Sequence, residues 1–151
     1  MINAIRQSYD WVFVDLGRSL SRISLPIIAS ADQVILILSL DEATVTLTLT
    51  VMDYLRSKGL KRSQVYPLIN RAVGLEGLPK RDVDEMLGIE ITGNIPHIGG
   101  TFAMSNNAHM PVPLRFPDNV VAVALREIVE KLAKRMKVEE TVQSSNEDDT
   151  L

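Results

Sequence analysis

The sequence of 151 residues lacks several features that mark common classes of protein. It contains no cysteine, which excludes a disulfide framework and thiolate metal sites. Its two histidines, His97 and His109, follow no metal-ligand spacing, so we expect no zinc site. No apolar run approaches the roughly 20 residues that cross a membrane, and the N-terminus does not have the pattern of a signal peptide. Aromatic residues make up only 5% of the chain, so its core must be aliphatic.

The net charge is small and unevenly distributed. Sixteen Lys and Arg against 19 Asp and Glu give −3, so we expect no specific nucleic-acid partner. Residues 137–151 hold one Lys and five acids, a net charge of −4, which leaves +1 for residues 1–136. The end of the chain is rich in Ser, Asn and Asp and has too little apolar surface to fold alone. We therefore predict one domain over residues 1–136 and an acidic, disordered tail over 137–151.

Four short apolar runs predict β-strands that alternate with helices. The runs are continuous, which is typical of strands buried in a parallel sheet. Regular alternation favours an α/β fold with a partial parallel sheet of about four strands, flanked by helices in Rossmann-type layers. The predicted strands are 11–15, 33–39, 65–70 and 90–95, and the predicted helices are about 20–31, 43–58, 80–87, 99–109 and 118–136. The predicted core includes Val12, Val14, Val34, Leu36, Leu38, Leu68, Ile95, Leu125 and Ile128.

One segment carries two conflicting signals. From Val45 to Val51 apolar residues alternate with threonines, the pattern of a strand, and threonine disfavours a helix. The apolar residues also recur at helical spacing, Asp41 can cap a helix, and Gly59 follows a basic last turn. Because a parallel sheet also needs a crossover after the strand at 33–39, we predict a helix over 43–58.

Polar residues follow each predicted strand. In a parallel α/β sheet, ligands bind beyond the carboxyl ends of the strands. Candidates for a site are therefore Asp15, Ser39, Asp41, Asn70, Arg71, Pro96 and His97.

Each local signal also has a simpler interpretation. An Asp after an apolar strand can hold a magnesium shell in P-loop ATPases, yet Asp15 can equally cap a turn. The carboxamide of Asn70 matches the edge of adenine, yet it can equally cap a loop. No phosphate-binding G-x-x-x-x-G-K-[ST] motif occurs in the chain, and Gly99-Gly100-Thr101 contains no Lys.

Six sequence segments are more informative in their order and spacing together than each segment is alone. They are residues 9–16, 31–38, 65–71, 82–88, 93–96 and 111–114. Together they resemble the MinD/ParA (SIMIBI) superfamily of P-loop ATPases over about residues 8–136. Asp15-Leu16-Gly17-Arg18-Ser19-Leu20-Ser21 is most similar to the TadZ/CpaE branch, which localises the tight-adherence (Flp-type) pilus machinery at the cell pole.

The resemblance implies roles for individual residues. Asp15 matches the strand-end Asp that holds the magnesium shell, so it would be the catalytic and indirect metal residue. Asn70, with Arg71, matches the position that recognises adenine, and Pro96 with His97 matches the loop against the base. ATP and Mg²⁺ are the cofactors of the intact family. Gly17 departs from the Pro that the family often has at this position.

The resemblance also implies a missing part. The family's first strand, its P-loop with two lysines and a following acidic residue should precede residue 8, and only seven residues do. In the family sheet the P-loop strand lies between the strand ending at Asp15 and the strand at 33–39. These two strands pair directly, or another segment fills the gap, or the chain is the C-terminal half of a longer protein. We expect a gene fragment or truncated reading frame, because an unfilled gap exposes unpaired backbone groups.

Two functions follow as hypotheses. The first is an ATPase-type positioning protein of a Flp-type pilus or secretion apparatus, inactive alone and binding no nucleotide alone. The second is a non-catalytic pseudo-ATPase that serves as an interaction or dimerisation module. Both imply a homodimer or a partner protein of the pilus machine, and a cytoplasmic location, at the pole through partners. We expect no direct membrane contact, because the acidic tail follows the basic end of the last helix and an anionic membrane would repel it.

Overall fold

The computed structural model describes residues 2–17, 20–71 and 77–148, with side chains for 4–17, 20–71 and 77–137. The described part forms a layered α/β fold, as the alternation predicts. Its elements are α1 (Ile2–Arg6), α2 (Ser24–Ser30), β1 (Val34–Leu38), α3 (Glu42–Ser57), a 3₁₀ turn (Arg62–Gln64), β2 (Val65–Asn70), α4 (Lys80–Leu87), β3 (Gly93–Ile95), α5 (Gly100–Asn107), α6 (Val112–Arg115) and α7 (Val120–Asp148).

The three strands form one parallel sheet in the order β1-β2-β3. Leu38 lies opposite Ile69, and Asn70 lies opposite Ile95, so the carboxyl ends of the three strands lie together on one side. The central strand β2 is buried along its length except for Asn70. This continuous burial explains why its sequence is an unbroken apolar run.

Two helical layers cover the sheet. On one face, Leu38 and Ile69 pack with residues of α3 and α4, and Val65 packs with Ile28 of α2 and with the end of α3. On the other face, Tyr66 and Leu68 pack against α7. The side chains that alternate along β2 therefore divide between two cores, as the two-residue period of a strand requires.

The segment 43–58, which carries both strand and helix signals in its sequence, is helical, as predicted. Asp41 is the N-cap of α3, and its Oδ1 accepts a hydrogen bond from the Thr44 backbone N–H at 2.8 Å. Helical spacing buries Val45, Met52 and Leu55 on one face. Tertiary packing of this face outweighs the low helix propensity of the threonines.

The predicted strand at 11–15 is wrong. These residues pair with no strand in the described part of the chain. Val12 and Val14, which we place in the core, are 37% and 46% exposed. The apolar run has strand composition, but a strand needs a neighbour for its backbone hydrogen bonds, and none lies beside it here.

The prediction for the other seven core residues is confirmed in part. Leu38, Leu68 and Ile128 are buried. The other four predicted core residues are half-buried: Val34, Leu36, Ile95 and Leu125.

The last helix differs from its prediction at both ends. It begins at Val120, and Asn119 rather than Asp118 caps it, with Oδ1 accepting from the Val121 N–H at 2.9 Å. It continues past Met136 to Asp148, so helical backbone extends into the acidic tail. That this tail stands outside the folded domain stays a prediction. No helix in the described ranges is long and apolar enough to cross a membrane.

Gly93 provides a test of the packing between β3 and α7. A Cβ at this position would lie 2.7 Å from Leu68 Cδ2 and 2.8 Å from Ile128 Cγ1. We expect Gly93→Ala to lower the free energy of unfolding by about 1–3 kcal/mol, the usual effect of overpacking. Gly100→Ala is the control, because a Cβ there meets nothing within 4 Å. Urea denaturation measures both, and equal stabilities would contradict this packing.

Candidate functional site

The carboxyl ends of β2 and β3 bring four predicted site residues together. Asn70 ends β2 opposite Ile95, the last residue of β3, and Pro96 and His97 follow directly. Asn70 and His97 are exposed, while Arg71 and Pro96 are half-buried. The Asn70 carboxamide forms no hydrogen bond within the described part of the chain, so its donor and acceptor are available to a ligand.

Arg71 holds these two strand ends in register. Its backbone N–H donates to the Ile95 carbonyl at 2.9 Å, and its Nε donates to Asn94 Oδ1 at 3.1 Å. The first bond extends the ladder one residue beyond β2. Arg71 therefore fixes the position of Asn70 relative to Pro96 and His97, and its guanidinium faces β3.

An open cavity of about 470 Å³ lies on the β3 side of Arg71. Arg71 and Pro96 line it together with Lys80 of α4 and two residues of α7, Glu127 and Lys131. Sequence reasoning missed the last three residues, because they lie on helices far from any strand end. Lys80 forms a 2.6 Å ion pair with Asp84. Asn70 and His97 do not line this cavity.

The end of β1 carries a separate network of polar side chains. The Ser39 hydroxyl donates a short hydrogen bond to Asp41 Oδ2 and lies 3.2 Å from Thr44 Oγ1. The Ser39 hydroxyl and then the Thr44 backbone N–H stabilise the charged carboxylate, which lowers the pKa of Asp41 from 3.8 to about 2. These bonds are internal to the turn, so Ser39 and Asp41 act here as the cap of α3.

This cap predicts a dependence of stability on pH. The folded pKa of Asp41 lies below its ordinary value, so the ionised group stabilises the fold above about pH 4. The contribution is lost as the pH falls from 3.8 towards about 2. We expect Asp41→Asn to lower the melting temperature at pH 7 and the difference from the parent to close near pH 2. Asp53→Asn is the control, and a difference independent of pH would contradict the assignment.

Asp15 lies apart from the paired strand ends. It is exposed and lies on the unpaired segment 11–15, with Oδ1 accepting from the Gly17 N–H at 3.0 Å. This bond is the local turn cap that the simpler interpretation of Asp15 describes. The described residues contain no group of three or more His, Asp or Glu that could hold a metal ion.

The polar groups at these strand ends fit the base of a nucleotide better than its phosphates. A carboxamide without a partner beside a proline and an imidazole suits a flat, hydrogen-bonding base. No described loop combines glycines with a Lys followed by Ser or Thr, the residues that hold phosphates in a P-loop. Asp15 could hold magnesium only through water, since a single carboxylate makes no complete site.

Comparison with known proteins gives a fold. No family model matches the chain, and no curated protein matches it. The ParA family ATPase from Chlorobium tepidum is similar, with a TM-score of 0.75 and 16% identity over 85% of this chain and 52% of that one. The MinC:MinD cell division complex of Aquifex aeolicus has a TM-score of 0.75 and 20% identity over 88% and 56%. MinD from Aquifex aeolicus has a TM-score of 0.74 and 20% identity over 88% and 58%.

The similarity extends through nearly all of this chain but only part of each neighbour. The chain spans between 52% and 58% of the length of these solved structures. At identities of 16–20% the match concerns the arrangement of helices and strands. The described chain therefore has an α/β fold like that of the matched part of these ParA and MinD structures.

Proposed function

We propose that this chain is the base-recognising, C-terminal half of a MinD/ParA-type ATPase, and that it is not catalytically competent alone. The observation that carries the proposal is the placement of Asn70 beside Pro96 and His97, at the strand ends of a ParA/MinD-like fold. These are the positions where the sequence resemblance expects adenine. The backbone register puts them together independently of that resemblance.

We assign different parts of a bound nucleotide to different residues. Asn70 would bind the base edge, and Arg71 would position it through Ile95 and Asn94. Asp15 would hold the water shell of Mg²⁺, which in the intact family neutralises phosphate charge. The second half of the fold would supply the phosphate cradle.

We further propose a role in positioning or assembling a Flp-type pilus or secretion apparatus, in the manner of TadZ/CpaE. Its support is the sequence from Asp15 to Ser21, which is most similar to that branch. A homodimer or a partner protein of the machine fits this role, with a cytoplasmic, polar location. One structural neighbour is itself a complex, MinC with MinD.

A second candidate is a pseudo-ATPase that serves as an interaction or dimerisation module. The absence of a Lys-containing phosphate loop from the sequence favours it. Under this proposal, the strand ends bind no nucleotide even when the sheet is complete.

ATP binding distinguishes the two candidate functions when the missing half is restored in one polypeptide. The remainder of the Aquifex aeolicus MinD chain, outside its matched 58%, is fused ahead of residue 8, and ATP binding is measured by calorimetry. Saturable binding supports the ATPase half. A correctly folded fusion that binds no ATP supports the interaction module.

The isolated chain gives a matching negative result. We expect it to hydrolyse no ATP above background with Mg²⁺ present, because its sequence has no Gly-rich loop with a Lys to hold the β- and γ-phosphates. Release of phosphate by the pure protein measures this. Turnover that depends on Mg²⁺ and disappears in Asp15→Ala would show that the chain is an enzyme by itself.

A further inference from the structure

An open cavity of about 360 Å³ lies between α2 and the end of α3, away from the strand end that carries Asn70. Ile28 of α2, Leu55 of α3 and Leu60 of the following loop line it and are 5–8% exposed. These three side chains belong to the buried cluster that also contains Val65, the first residue of β2. The floor of the cavity is therefore part of the aliphatic core, near the amino end of the sheet.

The chain reversal after α3 gives this floor its shape. Gly59 has a φ of 96°, in the region that residues with a side chain rarely adopt. Its N–H donates to the Arg56 carbonyl at 2.9 Å, and the Leu60 N–H donates to the Leu55 carbonyl at 3.1 Å. The reversal holds Leu60 beside the last turn of α3, so that both leucines line the cavity.

Of the described residues that line this cavity, two are basic and none is acidic. Arg22 precedes α2 in a turn closed by Ser21 and Ser24, in which each hydroxyl oxygen accepts from the N–H of the other residue, at 3.1 and 2.7 Å. Lys58 follows α3, and its Nζ lies 5.5 Å from the centre of the Tyr54 ring. Both basic side chains are exposed, and neither pairs with a carboxylate in the described part of the chain.

We propose that this cavity binds a small amphiphile with an apolar chain and a carboxylate head group, of the class of free fatty acids. The apolar chain would lie on Ile28, Leu55 and Leu60, whose side chains offer no hydrogen bond to a buried polar group. The carboxylate would stay at the rim, where Arg22 and Lys58 can form charge-assisted hydrogen bonds with it.

The size and the lining of the cavity favour a small molecule as its occupant. Pockets for small ligands are typically about 300–1,000 Å³, mostly apolar, with a few polar groups that fix the orientation of the ligand. The cavity lies at the lower end of this range, which suits a single chain of medium length. A free inorganic anion would leave the apolar floor uncovered, and an uncharged hydrocarbon would leave both cations unpaired. An anionic bilayer would be repelled by the acidic end of the sequence.

The test uses the full chain and decanoate as probe, below the concentration at which decanoate forms micelles. Decylammonium has the same chain with a positive head group and is the matched probe. Calorimetry measures the affinities, and the chemical shifts of methyl groups locate the site. We expect saturable one-to-one binding of decanoate that moves the methyl signals of Ile28, Leu55 and Leu60.

The charge of the head group should determine the affinity. Decylammonium should bind about tenfold more weakly than decanoate, because two exposed ion pairs are replaced by two repulsions. Added salt should weaken the binding of decanoate, since both cations are exposed to solvent.

Two pairs of substitutions connect the affinity to this cavity. Arg22→Glu should weaken the binding of decanoate about three- to tenfold. Lys134→Glu is its control, at an exposed residue of α7 that does not line the cavity. Ala29→Phe should prevent binding, because a ring at this exposed lining residue fills the cavity, and Ala103→Phe in α5 is its control. If Ala29→Phe does not fold, Lys58→Glu serves in its place.

The other outcomes overturn the proposal. If the folded chain binds no decanoate, the cavity takes no carboxylate. Equal affinities for decanoate and decylammonium would show that the site does not distinguish the head groups. Methyl shifts confined to residues outside the cavity, or an affinity unchanged in Ala29→Phe, would place the site elsewhere. Sedimentation of the chain with phosphatidylglycerol vesicles, reduced in Arg22→Glu, would assign this surface to a lipid bilayer instead.

Discussion

Asn70→Ala should remove most of the preference for ATP over GTP in the chain fused to its missing half. The Asn70 carboxamide can accept from the adenine amino group and donate to a ring nitrogen together. Guanine presents a carbonyl where adenine has the amino donor, and a mismatched buried polar group costs about 1–3 kcal/mol. The parent fusion should therefore prefer ATP roughly ten- to a hundredfold, at about 1.4 kcal/mol per factor of ten.

Competition of ATP against GTP measures this preference before and after the substitution. Asn107→Ala is the control, because it removes an exposed carboxamide at the end of α5 and leaves Asn70, Arg71 and Asn94 in place. Phosphate affinity, read from inorganic pyrophosphate competition, should change little in either variant. A ratio of ATP to GTP affinity that is unchanged in Asn70→Ala would mean that Asn70 only caps its loop.

The elements that could be predicted from sequence are those whose signals are local. β2 is an unbroken apolar run because both of its faces are buried in the described fold. α4 keeps its predicted bounds, Lys80 to Leu87, and Gly88 ends it in the left-handed region at φ 64°. For α3, the N-cap at Asp41 and the basic last turn correctly predicted a helix, although the alternating threonines indicated a strand.

The segment 11–15 could not be predicted, because its state depends on what lies beside it. Its composition is that of a buried strand, and Val12 and Val14 would be core residues if a neighbouring strand were present. In the described fold the same residues form no regular secondary structure and are exposed. Periodicity and composition indicate which residues of a segment would be buried in a sheet. Pairing with a neighbouring strand then determines whether those residues are buried.

The candidate site was predictable in its residues but only partly in its arrangement. Strand ends select Asn70, Arg71, Pro96 and His97, and the register of β2 with β3 brings them together. The bond from Arg71 to Asn94 depends on side-chain geometry, and Lys131 reaches the neighbouring cavity from a helix that begins fifty residues after β2. No spacing rule connects such positions.

Asp15→Asn should raise the Mg²⁺ concentration required for ATP hydrolysis by the fused protein about 10- to 100-fold. Groups that act on a metal through bound water typically contribute this much to its affinity. The substitution keeps Oδ1, so the hydrogen bond from the Gly17 N–H can persist while the charge is lost. The loop conformation and the electrostatic role are thereby separated, which Asp15→Ala would not achieve.

The measurement is the rate of phosphate release across a Mg²⁺ titration. Asp10→Asn is the control, because Asp10 is an exposed carboxylate five residues away that no strand end positions. It should leave the Mg²⁺ requirement unchanged. If Asp15→Asn also leaves it unchanged while the fusion still hydrolyses ATP, the Asp15 carboxylate acts only as the cap of its turn, and the magnesium shell is held by other residues of the completed site.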